Sequence, residues 1–292
     1  MQQKILSYAR QYDVVQNIMH QINEETLKQA YWRQPDSAVK TSYGGNLDDN
    51  IQRLVYRMKK FSFFPQKQSG KGESLEHEIR LFEDQIVEYV FAEILRLIYD
   101  EKNPIIFLPR GGKVQIQNAK KQQPPYSYTW KVELRVLNRP VDQKKLIAFL
   151  GRYIADKNFM KYLGRFLESG IMEKPIQSDA VWASDETLAS TLMHIYCYHI
   201  LREWLCSKGD NFQEKVHLCY YKGYFCFRAY RKKDLLKICN GLVDDQDKTN
   251  LQIVGNTYIH DLLGELKTVP CKNYFKLKNR RKIERRNYEN VY

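Results

Sequence analysis

The chain has 292 residues, with 47 Lys and Arg against 34 Asp and Glu, a formal net charge of +13, and 13% aromatic residues including 21 Tyr. That length can form two domains, or one large domain with a lobe, and bury a real core. No run approaches the roughly 18 apolar residues of a membrane span, and Met1-Gln2-Gln3-Lys4 opens no apolar signal core, so neither a membrane-embedded nor a secreted protein is expected.

Residues Ile5 to Trp32 space their apolar positions as one or two helices would. Asn46 is expected to cap a helix with Leu47, Ile51, Leu54, Val55 and Met58 on one face, ending before Phe61 to Pro65. Lys67 to Glu73 reads as a loop, and Ile79 to Tyr99 as a long helix with the stripe Ile86, Val90, Ile94 and Ile98. Prolines and glycines break the pattern between Lys102 and Tyr126, leaving a basic loop with Arg110, Lys113, Lys120 and Lys121. Arg110-Gly111-Gly112-Lys113 has a phosphate cradle's composition without the P-loop order, so a solvated loop is the plainer account.

Tyr128, Trp130, Val132, Leu134 and Val136 alternate as a strand with one buried face does. Asp142 caps a helix through Leu146, Phe149, Leu150, Tyr153 and Ile154, and a second runs from Phe159 to Ser169, closing at Gly170. The apolar helix Thr187 to Leu205 belongs in the core. Val216 to Tyr221 and Tyr224 to Arg228 flank Lys222-Gly223 as the arms of a β-hairpin. A helix through Leu235, Leu236 and Ile238 is expected to end at Gly241, with Asp244, Asp245 and Asp247 in a solvated loop before a short strand, Leu251 to Val254. Lys272 to Arg286 sets Lys272, Lys276, Lys278, Arg280, Arg281, Lys282, Arg285 and Arg286 against the single acid Glu284, a density suited to a nucleic-acid-facing tail.

The six cysteines, Cys197, Cys206, Cys219, Cys226, Cys239 and Cys271, show no C-x-x-C pair and no close Cys/His spacing, and read as reduced core residues. A reducing compartment follows, cytoplasmic in a prokaryote or an organellar matrix. His194 and His199, five positions apart, do not share a helix face, and no metal site is assigned to them.

Val141-Asp142-Gln143-Lys144-Lys145-Leu146, Tyr153-Ile154-Ala155-Asp156-Lys157 and Phe166-Leu167-Glu168-Ser169-Gly170-Ile171-Met172-Glu173 resemble, without gaps, a palm segment of group II intron reverse transcriptases, or maturases. His194-Ile195-Tyr196 and Leu201-Arg202-Glu203-Trp204-Leu205 are similar to the family's "Asn-Ile-Tyr" and "Leu-Asp-Glu-Trp-Phe". The helix from Asn46 with Phe63-Phe64-Pro65 resembles a fingers helix and its exit, Asp84-Gln85-Ile86-Val87-Glu88 the "Asp-Arg-Ile-Val-Gln", and Asp247-Lys248-Thr249 the "Glu-Lys-Thr" after the catalytic hairpin. The likeness spans roughly residues 40 to 255. It implies an α+β chain with the fingers and palm of the right-hand polymerase fold, an antiparallel palm sheet packed on helices and a truncated thumb. The corresponding divisions are 1–125 for an N-terminal helical extension and fingers, 126–260 for a palm-like domain and 261–292 for a basic tail or partial thumb.

Nucleotidyl transfer in that family needs carboxylates that hold two cations. In the ungapped register the family's strand aspartate falls on Glu133 and a second acidic position on Arg139, "Tyr-Ala-Asp-Asp" falls on Tyr221-Lys222-Gly223-Tyr224, and "Pro-Gln-Gly" on Ala183-Ser184-Asp185. An ammonium at Lys222 would repel Mg²⁺. No catalytic residues are therefore expected; Glu133, Gly223 and Tyr224 mark the degenerate positions, with Glu133 equally readable as a plain strand residue. The resemblance implies an RNA-binding scaffold or inactive subunit of a ribonucleoprotein or polymerase assembly, without metal or cofactor. Its nucleic-acid contacts are expected at Arg110, Lys113, Lys120, Lys121, Lys248, Lys276, Lys278, Arg280, Arg281, Lys282, Arg285 and Arg286. Structured or intron-like RNA is the expected partner, with DNA or an active polymerase subunit as others. Two alternatives stay open: an active RNA-directed DNA polymerase with an unorthodox, Mg²⁺-dependent site using Glu133, and a purely protein-binding structural subunit.

Overall fold

The computed structural model describes residues 15–66, 75–102, 128–136, 141–172, 187–209, 215–221, 224–261 and 269–270. The architecture is α+β, and the chain divides into two units, Met1–Phe107 with Arg139–Tyr196 and Leu108–Asn138 with Cys197–Tyr292. The helices within 143–168, grouped by sequence with the palm-like region, thus belong with the N-terminal helices.

The first unit is helical. A 3₁₀ turn at Ile18–Gln21 leads into α1 (Glu24–Arg33), which starts at a reciprocal cap: Thr26 N donates to Asn23 Oδ1 at 3.1 Å and Asn23 N to Thr26 Oγ1 at 3.0 Å. The short helix α2 (Ala38–Gly44), which apolar spacing does not announce, begins where Lys40 N donates to Ser37 Oγ. Helix α3 (Leu47–Lys59) buries Ile51, Leu54, Val55 and Met58, as their spacing requires. The expected Asn46 side-chain cap is not formed. Asn46 holds the N-cap position, but its carbonyl accepts from Asn50 N, and the first turn is supported by Asp48 and Asp49, which oppose the positive end of the helix dipole.

Helix α4 (Leu75–Lys102) exceeds its sequence-based bounds. The stripe Ile86, Val90, Ile94 and Ile98 is buried, and so are Phe82, Val87, Phe91, Leu95 and Tyr99 on other faces, with α1 and α2 packed alongside. Full burial of each large apolar side chain contributes about 1.5–3 kcal/mol, so this helix is a main source of the unit's stability. Helices α5 (Gln143–Gly151) and α6 (Lys157–Glu168) start at Asp142 and Asp156, both acting as side-chain caps. Phe159 on α6 stacks on Phe91 of α4 with centroids 4.5 Å apart, and Tyr162 donates its hydroxyl to the Met58 carbonyl at 2.8 Å, fixing α6 to the end of α3. Gly170, just past α6, has φ 86, the left-handed conformation that favours glycine. Helix α7 (Leu188–Ser207) gives its first half to this unit and its second half to the other.

The second unit is built on a sheet of β1 (Tyr128–Val136), β2 (Val216–Tyr221), β3 (Tyr224–Ala229), β4 (Leu251–Asp261) and the two-residue β5 (Val269–Pro270), in the order β2-β3-β1-β4-β5 with antiparallel neighbours throughout. The alternation in β1 is realised: Trp130, Val132 and Leu134 are at most 1% exposed, and Trp130 pairs in register with Phe227, their rings 5.1 Å apart. Helix α8 (Lys232–Asp244) lies against β1, β3 and β4, burying Leu235, Ile238, Cys239 and Leu242, and the single turn α9 (Gln246–Thr249) leads into β4.

Several expectations are corrected by these elements. Helix α8 runs past Gly241 to Asp244: Gly241 lies inside the helix against the Trp204 ring, where a Cβ would stand in ordinary contact 3.4 Å from its Cζ2. Strand β4 extends beyond Val254 to Asp261, since its full length pairs with β1. Cys239 is disulfide-bonded, and Cys206 is exposed, so the cysteines are not uniformly reduced core residues; Cys197 and Cys226 are buried thiols. Among the described residues no helix is long and apolar enough to cross a membrane.

Candidate nucleic-acid interface

Strand β1 sits between β3 and β4 and carries Glu133 on the alternation opposite to Trp130, Val132 and Leu134. Its register with β3 runs from Tyr128↔Ala229 to Val132↔Phe225, and that of the hairpin ends at Tyr221↔Tyr224. Glu133 and Tyr224 thus lie on neighbouring strands, each next in sequence to a residue of the pair Val132↔Phe225; the third degenerate position, Gly223, lies with Lys222 outside the described residues. On its other side Glu133 pairs with Val254, just past a register shift between Lys131 and Glu133 that breaks the even spacing of the strand pair. Such irregularities re-aim a side chain, and Glu133 is half-buried.

The same alternation carries Thr129 and Lys131. Thr129 stands opposite Arg228, which stands opposite His217, so a cation and an imidazole flank one row across three strands. Burial, and then the neighbouring Arg228 charge, lower the pKa of His217, leaving the ring neutral at pH 7 beside a permanently charged guanidinium. Lys131 is exposed. This face of the sheet therefore combines cationic and polar groups over an apolar core, a character that no single stretch of sequence displays, because the row is assembled from residues about ninety positions apart.

Asp245 is not the solvated loop residue that sequence implies. It is 8% exposed and accepts from Trp204 Nε1 at 3.0 Å, from Lys208 Nζ, and from Lys248 Nζ at 2.9 Å. The Lys208 bond first, then those from Trp204 and Lys248, hold its carboxyl well below the usual carboxylate range. Lys248, one of the expected nucleic-acid contacts, is 80% exposed at its side chain but shares its charge with Asp245. The signal for this cluster lies in Gly241 and Asp245, one helical turn apart: the glycine lies against the Trp204 ring and the carboxylate accepts from its indole.

Arg110, Lys113, Lys120, Lys121, Lys276, Lys278, Arg280, Arg281, Lys282, Arg285 and Arg286 lie outside the described residues. His194 is buried, its pKa pushed down to about 3 by burial and then by Arg96; among the described residues no three His, Cys, Asp or Glu side chains are grouped to hold a metal ion. No protein-family model matches the chain, and no curated protein matches it in sequence.

Proposed function

We propose that the chain is an RNA-binding protein of reverse-transcriptase-like fingers and palm that has lost the two-metal site, serving as a scaffold or inactive subunit in a ribonucleoprotein or polymerase assembly. The observation that supports this reading is the β1–β3 register, Tyr128↔Ala229 to Val132↔Phe225, which pairs the strand of Glu133 antiparallel with the strand that begins at Tyr224. In a polymerase of this type the equivalent strand and hairpin meet to bring carboxylates around two cations. In this chain the corresponding positions hold a single carboxylate, Glu133, with Gly223 and Tyr224 at the other two. The donor set does not fit a two-metal centre, and no nucleotidyl-transfer step is assigned to it. A sheet with one carboxylate at these positions leaves the phosphate-binding capacity of a +13 chain as the property to be explained.

Ultraviolet crosslinking of the purified full chain, followed by sequencing of the nucleic acid it retains, tests the reading: bound RNA is expected, and a chain that retains none at physiological salt is a protein-binding subunit instead. Primer extension with Mg²⁺ or Mn²⁺ separates the polymerase alternative. No product is expected, and product that disappears on Glu133→Ala would establish an active, unorthodox site.

A further inference from the structure

The C-terminus of α3 gathers rings and cations that have no part in the β1–β3 arrangement. Helix α3 closes by a crossed pair of bonds, Ser62 N to the Arg57 carbonyl at 2.9 Å and Phe61 N to the Met58 carbonyl at 3.1 Å. That closure puts Phe61 at φ 56, where glycine is the usual residue because a side chain is strained there. A phenylalanine held in this conformation must be worth more as a ring than a glycine is as a relaxed backbone.

Its ring is parallel to that of Tyr162, centroids 5.3 Å apart and planes 16° apart, and Lys161 Nζ stands 5.4 Å from its centroid. Three residues on, Phe64 is 60% exposed, with the Arg165 guanidinium 3.9 Å from its centroid. Arg165 is fixed in turn by donating to the Phe63 carbonyl at 2.7 Å. One turn back along α3, Tyr56 is 62% exposed with Lys60 Nζ 5.9 Å from its ring centre. Large exposed aromatics cost solvation, and lysine, which supplies two of the three cations beside these rings, is depleted from protein-docking faces. Rings that alternate with cations suit a chain of flat bases joined by phosphates, in which each base can leave its neighbours.

We propose that Tyr56, Phe61 and Phe64, with Lys60, Lys161 and Arg165 between them, form a stacking ledge for unpaired bases of single-stranded RNA. This rests on the RNA-binding reading and adds to it a location and a preference: the ledge takes unpaired strands rather than duplex, because paired bases expose no faces to stack on.

The test is fluorescence anisotropy of the full chain with labelled oligouridylate, which has no self-structure, and with a blunt RNA duplex, over a series of salt concentrations. Phe61→Gly relieves the backbone while removing the ring, so its thermal midpoint should be held as its affinity falls; Phe64→Ala, at an exposed position, is the second variant should Phe61→Gly lose the fold. Each is expected to weaken oligouridylate binding by about fivefold or more, the equivalent of one base–ring stack removed, with the salt slope unchanged and duplex binding unaffected. Lys161→Ala should instead reduce the salt slope by roughly 0.7. If folded ring variants bind oligouridylate as the unaltered chain does, the ledge is refuted while the RNA-binding reading stands. If the unaltered chain binds neither RNA, that reading fails and the ledge fails with it.

Discussion

Trp204 donates its indole Nε1–H to the carboxylate of Asp245 at 3.0 Å, joining the second half of α7 to the turn after α8 across 41 residues of sequence. Asp245→Ala would leave a buried indole N–H without an acceptor and strand the ammonium groups of Lys208 and Lys248, so it should lower the denaturation midpoint more than Asp245→Asn, which keeps an oxygen for the indole. The carboxyl is held below its ordinary range in the fold, so the unfolded chain binds the proton first as pH falls. The contribution of Asp245 is therefore complete above the ordinary value of 3.8 and is lost on acidification below it. Urea denaturation of the three proteins at neutral and acid pH would check both statements; equal midpoints would deny Asp245 a structural role.

Gly241 lies inside α8 and faces Trp204, not the end of the helix. Gly241→Ala should then stabilise the chain, by about 0.5–1 kcal/mol from reduced unfolded-state entropy, because the new Cβ stands in ordinary contact 3.4 Å from the indole. Gly241→Leu should destabilise it by forcing its branch into that ring. Had the glycine been a left-handed terminator, alanine would cost stability instead. The two substitutions have opposite signs on the same denaturation curve.

Asp84, 4% exposed on α4, accepts from Gln66 N at 2.7 Å, and burial, opposed by that bond, pushes its carboxyl up to about 7. An acid raised in the fold holds its proton where the unfolded chain has released it. Its contribution is full below the ordinary value of 3.8 and is lost as pH rises to about 7, with a slope of at most about 1.4 kcal/mol per pH unit. His194, pushed down to about 3, acts in the opposite sense below 6.5, so the total curve mixes the two. The difference between the unaltered chain and Asp84→Asn isolates the aspartate. That difference should move against the aspartate as pH rises from its ordinary value to about 7, and a difference independent of pH would contradict the assignment.

Asp156 holds two things at once. Its Oδ1 accepts from Asn158 N and Phe159 N, both at 3.0 Å, capping α6, and its Oδ2 accepts from Met19 N at 3.0 Å. Val15 pairs alongside, its N donating to the Tyr153 carbonyl at 2.7 Å. Asp156→Ala should cost about 1–2 kcal/mol for the cap alone and should also raise hydrogen exchange at Met19. Asp156→Ser, which can cap but has one oxygen, should restore stability in large part and leave Met19 exchanging. If Met19 stays protected in both, the N-terminal segment is held by other interactions.

The legible part of this fold is the part written in local periodicity. Ile51, Leu54, Val55 and Met58 on α3, and Trp130, Val132 and Leu134 on β1, are buried as their spacing requires, because neighbours along one element decide it. Asn46 and Gly241 mislead because each residue type has more than one use: an asparagine before a helix need not turn its side chain to the first turn, and a glycine can lie inside a helix as well as end one. Asp245 misleads for a different reason. Three acids in four positions read as solvated, and only the arrival of Trp204 and Lys208 from another helix buries one of them. Of the candidate site, the identities of Glu133 and Tyr224 can be set from sequence, but the pairing of their strands is a register property, in which Val132 meets Phe225, 93 positions away. The ledge at Tyr56, Phe61 and Phe64 is hidden because its cations come partly from α6, and because the strained φ of Phe61 leaves no mark in the residue string.

The cations named for RNA binding should not be equivalent. Lys248 binds Asp245 through its ammonium, and that hydrogen bond, followed by the carboxylate's charge, raises its pKa. A phosphate approaching Lys248 therefore meets a pair of opposite charges, and the counterion released on its approach is a fraction of that from a lysine without such a partner. Lys248→Ala should change RNA affinity little and leave the salt slope within experimental scatter, while costing some stability through Asp245. Reversing Arg280, Arg281, Arg285 and Arg286 to Glu in the tail should weaken binding steeply at low salt and flatten the salt dependence by roughly 0.7 for each phosphate no longer neutralised. Binding isotherms at three or more salt concentrations distinguish the two sets. If Lys248→Ala flattens the slope as much as a tail arginine does, the Asp245 pair opens on RNA binding and the lysine meets phosphate after all; if the tail variant matches the unaltered chain, phosphate binding resides elsewhere on the protein.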